Sequence, residues 1–229
     1  MAIAFVSKGT SVQASTATIT LNKPSTTNLD DVIVAAFMIV STTTTVTGIP
    51  TGFTLLESQT GVNCGLFVYV KKATSSEPST YVWNLSIGTL HAGGTADYSG
   101  VDVTAAPYTD CANAKQAPGS SNSHDCLAVT TATDHAMAIA VVGVPTANTT
   151  ETEPATLTQR IDVEEELNTS GYELALGDHD QTPAGSTGIF TWTPSAKTTY
   201  ASITFALKPI VTAVADIPDL TMAPLGRAS

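Results

Sequence analysis

Basic residues are scarce in this chain: lysine and arginine total 9 against 20 aspartates and glutamates, for a formal net charge of −11. Phosphate backbones are held mainly by clustered lysine and arginine, so this balance excludes a nucleic-acid-binding surface. No apolar run approaches the ~20 residues of a membrane span, and no membrane partner is expected. The amino terminus, Met1 to Lys8, lacks the basic segment, apolar stretch and small-residue cleavage site of a secretory leader, so a soluble product that is not exported by that route is expected. Cysteines number three, Cys64, Cys111 and Cys126, an odd count without C-x-x-C spacing, which implies neither a zinc site nor a disulfide framework. Cys111 and Cys126 could close a loop of about 15 residues, worth ~3 kcal/mol if oxidised; free thiols are the expected state in a cytosol.

Charged residues make up only 13% of the chain and hydrophobic ones 42%, which gives enough apolar material for a core and too little charge for disorder. Threonine, serine, alanine and valine dominate, a composition that suits strands and makes helix scarce. At 229 residues one sizeable β domain is expected. Val32 to Val40 is a continuous β-branched apolar run, read as a central strand covered on both faces. Ala17 to Leu21 should place Ile19 and Leu21 on one face. Phe53, Leu55 and Leu56 should face inward in the strand from Phe53 to Gln59. Ala136 to Val144 alternates Met137, Ile139 and Val141 against Ala138, Ala140 and Val142, and Tyr200 to Leu207 reads as a half-buried alternation. Tyr81 to Leu85 and Leu90 to Tyr98 read as two strands, ended by the turn at Ser99-Gly100-Val101-Asp102. Val103 to Asp125 reads as a surface loop.

About a dozen short strands at this spacing predict an all-β, antiparallel β-sandwich of the jelly-roll kind over residues 1–209. Residues 210–229 follow with three prolines counted from Pro209, and are read as an extended C-terminal arm. Ile210, Val211, Val214, Ile217, Leu220, Met222 and Leu225 make this arm too apolar for a solvated linker, so they are its expected partner-binding residues.

Polar clusters offer no assembled chemistry. In a strand, the neighbours in Asp178-His179-Asp180 point to opposite faces, so a single metal centre is not formed and a solvated strand end is expected. Ser123-His124-Asp125 has the residue types of a hydrolase triad in consecutive positions, which is the wrong geometry, and reads as a polar loop. Glu164-Glu165-Glu166 and Asp30-Asp31 lack the glycine-punctuated spacing of a calcium loop and read as solvated charge. His91 and His135 read as satisfied polar residues, and Gly93-Gly94 as a bulge or a close backbone approach. Aromatics that could stack on a sugar are limited to Tyr98, Tyr108, Trp83 and Trp192, with core packing expected in the alternating strands. Tyr98 and Tyr108 remain the candidate glycan contacts. No catalytic residue, cofactor or metal is expected.

The motif order Asp31-Val-Ile-Val-Ala-Ala, Ile49-Pro-Thr-Gly-Phe-Thr-Leu-Leu, Val68-Tyr-Val-Lys-Lys-Ala, Ser76-Glu-Pro-Ser-Thr-Tyr-Val-Trp, Tyr98-Ser-Gly-Val-Asp and Ala201-Ser-Ile-Thr-Phe-Ala-Leu-Lys-Pro resembles a β-sandwich module of tailed-phage virion proteins and bacterial surface proteins. Within that group the chain is most similar to a capsid decoration, or cement, protein. The resemblance implies a non-enzymatic virion structural protein made in the host cytoplasm. It would sit on the outer head surface, bind the major capsid protein or other virion proteins, and bridge subunits as a homo-oligomer, with a trimer favoured. A tail or head-fibre component, or a carbohydrate-binding or adhesin module, is the alternative.

Overall fold

The computed structural model describes residues 1–146, 149–163 and 172–211. The described residues form strands and connecting segments without helix. In chain order the strands are β1 (Ala4–Lys8), β2 (Val12–Asn22), β3 (Val32–Ile39), β4 (Val46–Gly48), β5 (Thr54–Thr60), β6 (Gly65–Lys72) and β7 (Thr80–Ser99). There follow β8 (Ala114–Gln116), β9 (His124–Cys126), β10 (Ala136–Val144), β11 (Glu151–Thr152), β12 (Thr158–Val163), β13 (Glu173–Gln181), β14 (Phe190–Pro194) and β15 (Ala201–Leu207).

One sheet runs β1-β7-β3-β6-β5, with β2 and β4 also paired to β7. A second runs β12-β13-β10-β15-β8 and a third β11-β14-β9. Every pairing among the named strands is antiparallel. The antiparallel β-sandwich is formed by the first two sheets, whose facing residues Val34, Ala36, Val68, Ile139, Ile203 and Phe205 share one core.

Further layers cover both outer faces. β3 is buried along its whole length because Val32, Val34, Ala36 and Met38 enter the central core while Ile33, Ala35, Phe37 and Ile39 enter another. What covers that second face is the β2–β7 ribbon: β7 pairs with β3 through residues 91–98, then bends so that Tyr81, Trp83 and Leu85 pack back over Phe37 and Tyr69. The two predicted strands are thus one 20-residue strand, bent where its register against β2 shifts between Thr16 and Thr18. Gly93 lies under the fold-back, where a Cβ would stand 2.8 Å from both Leu21 Cδ2 and Phe37 Cβ. The close backbone approach read from Gly93-Gly94 is therefore present. The predicted turn at Ser99-Gly100 also stands, with Gly100 at φ 77°.

On the opposite side the third sheet covers β10 and β13. Small residues Ala138, Ala140 and Ala175 leave room there for Phe190, Trp192 and Tyr200. The half-buried reading of β15 is corrected: Ser202, Thr204 and Ala206 are buried like Ile203, Phe205 and Leu207, Ser202 against β9 by donating to the Asp125 carbonyl and Ala206 against Val129 and Ala136. Leu55 is also corrected, since it is exposed and the bulge between Leu55 and Glu57 turns Leu56 to the core instead. The segment 103–125 is not wholly irregular, because β8 lies within it and β9 begins at its end. All three cysteines are free thiols.

Candidate functional site

Tyr98 is not a surface aromatic. Alternation along β7 puts it with Ala92 and Ala96 on the face that enters the central core, and it is fully buried. Its hydroxyl donates to Asp178 Oδ2 at 3.1 Å, and Arg160 Nε donates to the same oxygen at 2.8 Å. The guanidinium of Arg160 lies 4.2 Å from the centre of the Phe5 ring, which meets Tyr98 edge to face at 5.9 Å. Burial, and then the Asp178 charge beside it, holds the Tyr98 phenol far above its ordinary range. This group ties β1 and β7 to β12 and β13, so Tyr98 is a clamp and not a glycan contact. Asp178 is correspondingly no solvated strand end, being only 3% exposed. Tyr108 is half-buried against the same core, at φ 68°.

His124 corrects the polar-loop reading. It stands in β9 with no exposed surface, and its Nδ1 lies 2.7 Å from Oε1 of the equally buried Glu151. Its ring stacks on Tyr200 at 4.1 Å. The Tyr200 hydroxyl accepts from the Asp125 amide at 2.8 Å and from Gln116 Nε2 at 3.0 Å. Glu151 in turn donates its amide to Glu173 Oε1 at 2.8 Å. Burial raises the Glu151 carboxyl and the His124 ring partly offsets it. Its centre, His124 with Glu151 and Glu173, is buried, and the ensemble joins the third sheet to β8, to β13 and to Tyr200 just before β15.

At the surface, His135 Nδ1 lies 3.1 Å from Asp180 Oδ2 and 2.9 Å from Thr182 Oγ1. Both partners sit on one ring nitrogen, whereas a proton relay needs the acid and the hydroxyl on different nitrogens. His91, buried, has Nδ1 3.0 Å from the Thr89 carbonyl. Among the described residues no three His, Cys, Asp or Glu side chains are grouped to hold a metal. Glu164, Glu165 and Glu166 lie outside the described residues.

Asp97, not singled out in the sequence, is fully buried on β7 beside Asp31. Burial, then the Asp31 charge, pushes its carboxyl up to about 7. Tyr81 of the fold-back is another titratable neighbour. A carboxyl raised in the folded state contributes full stability below its unfolded value and loses it as pH rises through the folded value. In metal-free buffer, stability from urea unfolding should therefore fall by on the order of 3 kcal/mol between pH 4 and pH 8 relative to Asp97→Asn. Parallel profiles for the two proteins would contradict this assignment.

An exposed apolar surface among the described residues lies at the pole where the amino terminus meets Ile210. The Met1 amine donates to the Ile210 carbonyl at 2.7 Å, and the Ile210 amide donates to the Gly100 carbonyl at 3.0 Å. Met1, Ile210 and Val211 are exposed there, 75%, 41% and 66%, beside an open hollow of about 440 Å³ that also touches Thr133 and Asp134. Of the predicted arm residues, Ile210 and Val211 thus form an apolar collar, while Val214, Ile217, Leu220, Met222 and Leu225 lie outside the described residues. Comparison with protein-family models, curated proteins and solved structures finds no match to this chain.

Proposed function

We propose that the chain is a virion structural protein of a tailed phage, a decoration protein that binds the outer head surface and bridges capsid subunits as a homo-oligomer. The observation that carries this reading is the pole: the amino terminus meets Ile210 at one end of a multilayered β body, and the exposed apolar collar of Met1, Ile210 and Val211 precedes an apolar-rich stretch of the sequence. Residues 212–229 have a contour length on the order of 60 Å, enough to reach a neighbouring subunit. A segment that binds only the assembled shell stabilises that shell by linkage. The buried polar clusters serve the body, since each joins layers and none lines the hollow at the pole. With Tyr98 in the core, a glycan site would rest on the half-buried Tyr108 alone, which favours the structural role.

A chain ending at Val211 keeps the Met1–Ile210 and Ile210–Gly100 bonds, so it should unfold at the temperature of the full chain while binding heads at least tenfold more weakly. Cosedimentation titrations of the two proteins check this, and equal affinities would sink the arm.

A further inference from the structure

The connection from β2 to β3 carries Asp30 and Asp31. Alone, such a pair is solvated charge, and Asp30 does reach outward to Lys72 at 2.8 Å. Asp31 turns the other way and is only 5% exposed, with Oδ2 accepting the Asn28 amide at 2.8 Å and Asn28 Nδ2 at 3.1 Å.

An independent strand supplies what the connection lacks. Asp97, 66 residues further on, comes from β7 with no exposed surface, and neither carboxylate oxygen receives a hydrogen bond of ordinary geometry. Its near neighbours are the Asp31 carboxylate, the Thr27 hydroxyl and the Tyr98 backbone amide, and Thr27 Oγ1 is likewise buried without a hydrogen bond of ordinary geometry. Among the described residues no lysine, arginine or histidine forms an ion pair with Asp31 or Asp97. Two adjacent carboxylates removed from water must be neutralised by a proton or by a bound cation.

We propose that Asp97, Asp31 and Thr27 form a seat for a divalent cation of the calcium class, closed over by the β2–β3 connection. All the donors are oxygen, which selects hard cations over zinc or copper. Calcium accepts irregular oxygen geometry and sheds its water readily, whereas magnesium requires near-octahedral geometry and retains waters, for which a fully buried carboxylate leaves little room. The bound ion would join the β2–β3 connection to β7, and through the Ser7–Asp97 register to β1. The seat is independent of the capsid reading and does not involve the pole.

The test uses the full chain with calcium, magnesium or EDTA in thermal unfolding, and terbium as a luminescent probe excited through Tyr81. Calcium at 10 mM should raise the unfolding temperature by about 5 °C over EDTA and displace terbium, and magnesium should do less. Asp97→Asn should abolish both signals and Thr27→Val should weaken calcium binding several-fold, while Asp30→Asn should retain them. No calcium response in the unaltered chain, or a response in Asp97→Asn and Thr27→Val equal to that of the unaltered chain, overturns the proposal.

Discussion

Trp83→Ala is expected to cost about 4 kcal/mol of folding stability. Trp83 has no exposed surface and packs between Phe53 at 5.0 Å, Phe37 at 5.5 Å and Tyr69 at 5.6 Å. Those rings come from the covering ribbon's neighbour before β5 and from both central strands of the first sheet, so the indole fastens the fold-back of β7 to the sheet beneath it. Truncation leaves a cavity that the surrounding rings cannot fill without leaving their rotamers. The Trp83 indole N–H has no hydrogen-bond partner, so Trp83→Phe removes volume alone and should cost about 1–2 kcal/mol. Urea unfolding of the three proteins measures both values. A cost below 1 kcal/mol for the alanine variant would mean that the ribbon is not held by this core.

Asp178→Ala should be about as severe, at about 3–4 kcal/mol. The carboxylate is 3% exposed and is the common acceptor for Tyr98 and Arg160. Removing it leaves a phenol hydroxyl without its acceptor inside the core and a half-buried guanidinium without its counter-charge. Tyr98→Phe removes a single hydrogen bond between buried groups and should cost about 1 kcal/mol. The double variant should then cost less than the sum, since both changes delete one shared bond. Strict additivity would show that Tyr98 and Asp178 are not coupled across the two sheets. Loss of glycan binding has no part in the expected outcome, because the Tyr98 ring never reaches the surface.

How far the sequence discloses this fold depends on separation along the chain. The apolar run of β3 and the alternation of β10 state their burial locally, and Ile19 and Leu21 are indeed the buried face of β2. The fold-back of β7 is not local: nothing between Tyr81 and Tyr98 announces that one strand serves two layers, and its middle residues break the alternation in the same way that a turn would. The burial of Ser202 and Thr204 is hidden for a similar reason, since short polar side chains read as outward-facing until distant parts of the chain cover them.

Clusters follow the same rule. His124 meets Glu151 and Asp97 meets Asp31 only because strands far apart in sequence are placed side by side. Tyr98 could have been recognised, as its parity with Ala92 and Ala96 assigns it to the inward face. Ile210 and Val211 were legible as apolar residues beyond the last strand, and both are exposed at the pole.

The most direct measurement of the decoration reading is cosedimentation of the full chain with isolated heads of the tailed phage that this reading implies as its source, with tails sedimented in parallel and head disruption followed by heating. Saturable binding to heads at a fixed ratio to the capsid subunit, with a raised disruption temperature, is the predicted result. Binding to tails alone, or no binding to heads at micromolar concentration, would contradict it.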